Sequence, residues 1–369
     1  MPQAPLATTP AATPSAEGFR MPGEFAPHSG CWMAWPERPD NWREGAAPAR
    51  RAFAAVAAAI HASEPVTVTV SSAEGRASAQ ALLPAGIRIL DIPSDDCWMR
   101  DIGPTFLTGP GGEVRAVDWR FNAWGGAANG LYAPWDRDDA MAAHVAEVEG
   151  VQRYRAPFVL EGGAIHVDGE GTVFTTAECL LSAGRNPQMT KAEIEQGLKD
   201  WLGATAVVWL PRGVHLDETD GHVDNLLHVC APGTVALTWT DDRGDPQYQR
   251  SAEALDLLST CVDARGRRLR VIRLPMPGPL NMSAQEAAGI AAGDTGMVRS
   301  AGERLAGSYA NFYIANTRVV FPLLDERHDG EAAALLAELF PGREIVGVPG
   351  REILLGGGNI HCITQQVPA

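Results

Sequence analysis

Leu160-Glu161-Gly162-Gly163-Ala164-Ile165-His166-Val167 returns near the C-terminus as Leu355-Gly356-Gly357-Gly358-Asn359-Ile360-His361-Cys362, with five of the eight positions identical. Self-similarity of this kind marks a repeated structural unit. A shorter echo, His166-Val167-Asp168 against His222-Val223-Asp224, suggests related strand-and-turn units arranged around a common centre. Outside these segments apolar residues recur three or four apart at 46–62, 136–148, 192–202, 251–262 and 331–340, which predicts five helices. The third opens with a capping-box signature, Thr190 followed three residues later by Glu193. Period-two or wholly apolar runs at 66–70, 88–92, 114–121, 206–210, 270–274 and 312–321 predict strands. Helices and strands in alternation, together with the repeat, imply an α/β body built from a strand-strand-helix-strand unit whose loops converge on one site.

Composition narrows the class. The 369 residues are 45% hydrophobic and 20% charged, with 39 Gly and 27 Pro, which describes a globular chain with many turns. Glycine- and proline-rich breaks are spread evenly, so residues 21–369 read as a single catalytic domain and residues 1–20 as a flexible leader without a secretory signal. A net charge of −15 repels polyanions, which excludes nucleic acid as a partner and suits either solubility or a cationic small substrate. The longest apolar run, 52–60, is too short to span a bilayer. Six scattered cysteines without a CxxC pair read as reduced thiols, which places the chain in the cytoplasm.

Four segments concentrate polar chemistry. Asp101, in Asp96-Cys97-Trp98-Met99-Arg100-Asp101-Ile102-Gly103-Pro104, is open to two readings: a cation-binding carboxylate or the acceptor of an Asx turn. Glu161 enters two glycines directly after Val159-Leu160, where a half-buried acid needs a cationic ligand or an internal salt bridge. In Asp217-Glu218-Thr219-Asp220-Gly221-His222-Val223-Asp224-Asn225, a strand beginning at His222 would put His222 and Asp224 on one face. A solvated turn is the alternative there, and His215, His222 and His228 are the rival metal set. Cys362 combines a glycine run, an adjacent histidine and polar neighbours Thr364-Gln365-Gln366, and it lies in the repeat that also carries Glu161; inert packing is the default for a buried cysteine.

These segments, with Met21-Pro22-Gly23-Glu24-Phe25, Trp35-Pro36-Glu37-Arg38-Pro39-Asp40-Asn41-Trp42-Arg43, Trp98-Met99-Arg100-Asp101, Phe121-Asn122-Ala123-Trp124-Gly125-Gly126 and Gly357-Gly358-Asn359-Ile360-His361-Cys362, resemble the agmatine deiminases of the peptidyl-arginine deiminase family, in the guanidino-group-modifying superfamily. The resemblance spans nearly the whole chain. It implies a five-bladed, pseudo-symmetric α/β propeller of ββαβ units, a homo-oligomer, and agmatine as the small cationic substrate. It places the nucleophile on Cys362, the acid/base on His222 and the guanidinium-holding carboxylates on Asp101, Glu161 and Asp224, with no metal and no organic cofactor. Trp98 and Trp124 would line the pocket by cation–π contact or serve as core aromatics, and Glu218 would meet the distal amine. The activities weighed are hydrolysis of agmatine to N-carbamoylputrescine and ammonia in putrescine and polyamine biosynthesis, deimination of free or peptidyl arginine, a metal-dependent hydrolase, and a polyamine-binding protein.

Overall fold

A computed structural model describes residues 12–293, 296 and 298–369. Its strands form five small sheets of one recurring order. In the sheet Thr105–Thr108, Val114–Arg120, Gln152–Val159, the first pair is antiparallel and the second parallel. The parallel step needs a crossover, and helix Asp136–Glu149 supplies it. The same ββαβ order recurs around helices Lys191–Leu202, Pro246–Thr260 and Asp329–Leu339. In the fifth unit, Gln365–Pro368 pairs antiparallel with His28–Ala34, which runs parallel to Val66–Val70 beyond helix Ala47–His61. That unit alone adds a further helix, Ala73–Leu82, and an edge strand, Arg88–Asp91.

The five expected helices therefore exist, each shifted by a few residues at most. Lys191–Leu202 starts with the Thr190/Glu193 capping box and buries Ile194, Leu198, Trp201 and Leu202 along one stripe. Helix Ala73–Leu82 leaves little trace in the sequence, because its Ala/Gly/Ser composition buries only Gly75 and Ala79 and gives little apolar periodicity. The run expected as one strand at 312–321 is two, Tyr313–Ile314 and Arg318–Leu323, because the chain reverses between them and pairs with itself. Residues 1–11 of the expected leader lie outside the described residues. The remainder of it packs: Ser15–Glu17 form a 3-10 turn, and Phe19 is buried against Tyr154.

One feature of the repeat positions the site. Just before its first strand, every unit makes a tight turn toward the common axis. These turns are Met99–Ile102 before Thr105, Gly162–Ala164 before His166, Val223–Leu226 before Leu227, the segment ending at Phe312 before Tyr313, and 359–364 before Gln365.

Candidate functional site

Each turn delivers one or two polar side chains to a single cavity or its floor: Asp101, Glu161, His222 with Asp224, Asn311, and Cys362. The cavity encloses about 520 Å³ including its mouth, and its wall includes Asp101, Trp98, Trp124, Glu218, His222 and Cys362. The five residues assigned to the chemistry are all buried.

The carboxylates are held from behind. Asp101 accepts from the Gly163 backbone N–H through Oδ1 (2.8 Å) and from the Trp124 indole through Oδ2 (2.9 Å). Glu161 accepts from Arg185 Nε through Oε1 (2.8 Å), while its Oε2 has no hydrogen-bond partner. Asp224 Oδ2 contacts His361 Nδ1 at 2.9 Å and Cys362 Sγ at 3.5 Å, and its Oδ1 has no partner. His222 sits between two of these acids, Nδ1 3.8 Å from Asp101 Oδ2 and Nε2 3.7 Å from Glu161 Oε2; Nε2 also lacks a partner. Buried polar groups are normally satisfied. Two buried carboxylate oxygens and an imidazole nitrogen here have no partner among the described residues, an arrangement into which a cation bearing several N–H donors would fit.

Electrostatics follow from this packing. Burial, with Asp224 and Glu161 nearby, pushes Asp101 up to about 6 against the opposing pull of His222. Burial would lower His222, but Asp101 and Glu161 outweigh it and hold the imidazole protonated well above its usual range. Burial and the Asp224 and Asp101 carboxylates push the Cys362 thiol well up, although Asn311 Nδ2 donates to Sγ at 3.2 Å. The free site therefore pairs an imidazolium with a neutral thiol.

Gly163 shows why glycine is required between these groups. A Cβ there would lie 2.5 Å from His222 Nδ1, 2.9 Å from Asp101 Oδ1 and 3.0 Å from Asp224 Oδ2. We expect Gly163→Ala to lower kcat/KM by at least about a hundredfold through displacement of these groups. Steady-state kinetics beside a urea melt would check it; near-normal turnover would show that the close approach is dispensable.

Several expectations need correction. His222 does not begin a strand: it caps the helical turn Val223–Leu226, and the strand starts at Leu227, because an inward turn intervenes in every unit. His222 and Asp224 meet through that turn rather than through a period of two. The His166/His222 echo is likewise not a structural equivalence, since the ring facing His166 is His228, at 4.4 Å between centroids. Glu161 is fully rather than half buried, and its salt bridge to Arg185 coexists with an oxygen facing His222. Trp98 and Trp124 line the cavity and also donate indole N–H groups, to Asp96 and Asp101. Glu218 lines it too, but its carboxylate is gripped by both terminal nitrogens of Arg299, so its charge is shared.

Arg185 and Asn311 carry no mark in the sequence, and Glu24 stands in the quoted segment Met21-Pro22-Gly23-Glu24-Phe25 without a role assigned to it. Arg185 donates to Glu161, to Asp220 and to the carbonyls of Trp124 and Thr219. Ala123 and Trp124 both take left-handed backbone angles, φ 53° and 62°, which is costly for residues with side chains. That turn aims the Trp124 indole at Asp101 and its carbonyl at Arg185.

The proposed metal trio is not assembled. Among the described residues, His228 groups with Glu24, His166 and His361, and His222 with Glu161 and Cys179, while His215 joins neither group. In the first group Arg100 donates to Glu24 (3.2 Å) and His361 bridges Glu24 to Asp224. His361, raised above its usual value despite burial and Arg100 by those two carboxylates, and Arg100 already balance two buried negative charges. A divalent ion would leave excess buried positive charge. In the second group Arg185 already neutralises Glu161. Neither arrangement reads as a metal centre.

The sequence pattern of the Porphyromonas-type peptidyl-arginine deiminase family matches residues 20–368. The chain is 54% identical over 363 residues to an agmatine deiminase of Ectopseudomonas mendocina, covering 98% of this chain and 99% of the relative. It superposes on the agmatine deiminase of Enterococcus faecalis with a TM-score of 0.94 at 45% identity, over 98% of this chain and 99% of the other. An agmatine deiminase of C. jejuni, 22% identical, shares the fold with a TM-score of 0.80 over 95% and 97% of the two chains.

Proposed function

The chain belongs to the Porphyromonas-type peptidyl-arginine deiminase family, and from that premise we propose that it hydrolyses agmatine to N-carbamoylputrescine and ammonia through a covalent intermediate on Cys362. The observation that carries this reading is the convergence of Asp101, His222 and Cys362 on one cavity, with Glu161 against His222 and Asp224 against Cys362, each of the two acids keeping a buried oxygen without a partner among the described residues. A guanidinium is a planar fork of N–H donors, and such carboxylates grip it while offsetting its charge. Resonance makes its carbon a poor electrophile, so positioning supplies much of the rate.

Bound guanidinium lowers the thiol pKa, the thiol proton passes to water, and the Cys362 thiolate adds to the central carbon. The tetrahedral adduct expels ammonia as His222, already an imidazolium, gives its proton to the departing nitrogen. The neutral imidazole then takes a proton from water, whose oxygen attacks the amidino-thioether carbon. Collapse breaks the C–S bond, returns a proton to sulfur and releases the urea product. No step calls for a metal or cofactor.

Agmatine is favoured over arginine by the outer wall. Among the described residues its two guanidinium side chains, Arg38 and Arg299, already face the carboxylates of Asp40 and Glu218, so the wall offers an α-carboxylate no unneutralised positive charge. Glu218, shared with Arg299, remains the contact proposed for the distal ammonium. The setting is polyamine biosynthesis in the cytoplasm, in a homo-oligomer of chains whose residues 21–369 act as one catalytic unit. No described helix is long and apolar enough to cross a membrane.

The deciding experiment is ammonia release from agmatine, arginine and a peptidyl-arginine substrate side by side, with EDTA present and intact-mass analysis of quenched enzyme. Turnover of agmatine alone, with added mass on Cys362, is the expected result. Preference for an arginine substrate would keep the chemistry and change the substrate; no ammonia from any of them would sink the proposal.

The pH dependence is also specified. The Asp101 carboxylate must be ionised to hold the guanidinium, and in the free enzyme it protonates as pH falls through about 6. The kcat/KM profile, which reports free enzyme, should therefore lose activity below pH about 6, and the kcat profile should fall at lower pH because bound cation favours the carboxylate. Coincident acid limbs in the two profiles would contradict this.

A further inference from the structure

Beneath the cavity floor, on the axis where the five turns meet, lies a second polar cluster that the mechanism above does not use. Glu24 enters it from the segment before strand His28–Ala34 and is fully buried with Arg100, His166, His228 and His361. His361 Nε2 lies 3.0 and 2.9 Å from the two Glu24 oxygens, and its Nδ1 lies 2.9 Å from Asp224 Oδ2. Both ring nitrogens thus face carboxylate oxygens, which are acceptors only when ionised, so the ring satisfies both as an imidazolium. His166 Nδ1 and His228 Nε2 also face Glu24, at 3.7 and 3.8 Å. Arg100 donates through Nη1 to Glu24 and through Nε to the His361 carbonyl, while the His166 and His228 rings stand 5.0 and 5.3 Å from that of His361. Burial and neighbouring cations lower both of those histidines, so they stay neutral and leave the proton on His361.

We propose that Glu24 and His361 are positioning residues for the deimination: the His361 imidazolium, anchored by Glu24, clamps Oδ2 of Asp224 and so turns Oδ1 toward the guanidinium while setting the carboxylate beside Cys362. The inference rests on Asp224 being a guanidinium carboxylate. It adds that the residue next to the nucleophile acts through Asp224 from outside the cavity. Asp224 Oδ2, with His361 on one side and the Cys362 sulfur at 3.5 Å on the other, is the point of transmission. Removing the cation exposes Asp224 to its buried surroundings, which favour the protonated acid.

Two variants and one spectroscopic measurement test it. His361→Asn should lower kcat/KM about a hundredfold through misplacement of Asp224. It should also steepen the acid limb and carry it to higher pH, since Asp224 then takes up its proton closer to the pH at which Asp101 does. Glu24→Gln keeps shape and an acceptor but removes the anchoring charge. It should cause a smaller loss and an alkaline limb at lower pH, because His361 then gives up its proton more readily. Nitrogen-15 chemical shifts of the histidine rings, with His361 assigned by its disappearance in His361→Asn, should report two protonated nitrogens at neutral pH. That measurement is made on the unliganded wild-type protein, so it does not depend on whether agmatine is the substrate. A neutral His361 ring would overturn the relay. So would variants whose activity falls equally at every pH, because a merely structural role lowers the curve without moving its limbs.

Discussion

Cys362→Ser should abolish ammonia release from agmatine, by at least about a thousandfold in kcat, while the urea-unfolding midpoint stays close to that of the parent. The two atoms differ little in size, and the neighbours of Sγ are polar: Asn311 Nδ2 at 3.2 Å and Asp224 Oδ2 at 3.5 Å, both of which a hydroxyl can satisfy. The folded state therefore loses little. Nucleophilicity is another matter. Burial and two carboxylates already hold the thiol well above its usual pKa in the free site, so even sulfur depends on the bound guanidinium to ionise. A serine hydroxyl starts several units higher and gains no more from the same cation. The variant should still bind agmatine, because Asp101, Glu161 and Asp224 are untouched, and intact-mass analysis should find no adduct. Turnover near the parental rate would refute covalent catalysis through this residue. A companion measurement uses the parent protein: ultraviolet thiolate absorbance should be negligible at neutral pH and rise on titration with a non-hydrolysable alkylguanidine. A signal already present and unchanged by the guanidine would show that the ion exists beforehand.

Most of the fold, and five residues that the fold brings together, could be read in the sequence, for different physical reasons. The helices declare themselves by local periodicity, as Ile194, Leu198, Trp201 and Leu202 do on one face. Asp101, Glu161, His222, Asp224 and Cys362 stand out because each sits among glycines, turn residues or other polar residues at the edge of an apolar segment or, for Cys362, between a glycine run and Thr364-Gln365-Gln366. What the sequence conceals is pairing at a distance. Arg185, in Ser182-Ala183-Gly184-Arg185-Asn186-Pro187, looks like an exposed loop residue, and only folding brings it to Glu161, twenty-four positions earlier. Asn311 occupies the fourth unit's place in the ring of turns. Its neighbours Tyr309, Ala310, Phe312 and Tyr313 read as core, and the turns differ in length, so no alignment of the repeat exposes it. Glu24 is hidden for the same reason as Arg185: its partners are Arg100 and His361. The supposed strand at His222 failed because a single turn of helix carries no periodic signal of its own.

Arg185→Met should be the most destabilising single change near the site, by about 3–5 kcal/mol, because it strands a carboxylate that was buried as half of an ion pair. Neither side chain of the Arg185–Glu161 pair has any solvent exposure, and Glu161 gains no other strong donor when the guanidinium is removed. The other acidic partner, Asp220, is 45% exposed and can return to water, so it adds little to the cost. In the parent, Arg185 and His222 together outweigh burial and keep Glu161 below its usual pKa. Without Arg185, burial dominates and the acid takes up a proton, so the variant also loses a charge that the guanidinium needs. Stability and activity can then be separated by adding Glu161→Gln. The double variant no longer buries an unpaired charge and should recover much of the lost unfolding free energy, giving a coupling well above the few tenths of a kcal/mol at which independent sites add. Its turnover should not recover, since Glu161→Gln alone is expected to lower kcat/KM about a hundredfold or more by weakening the grip on the substrate. A double variant as unstable as Arg185→Met would mean that the arginine acts through its bonds to the Trp124 and Thr219 carbonyls rather than through Glu161. Near-parental kinetics for Glu161→Gln would remove that residue from the site.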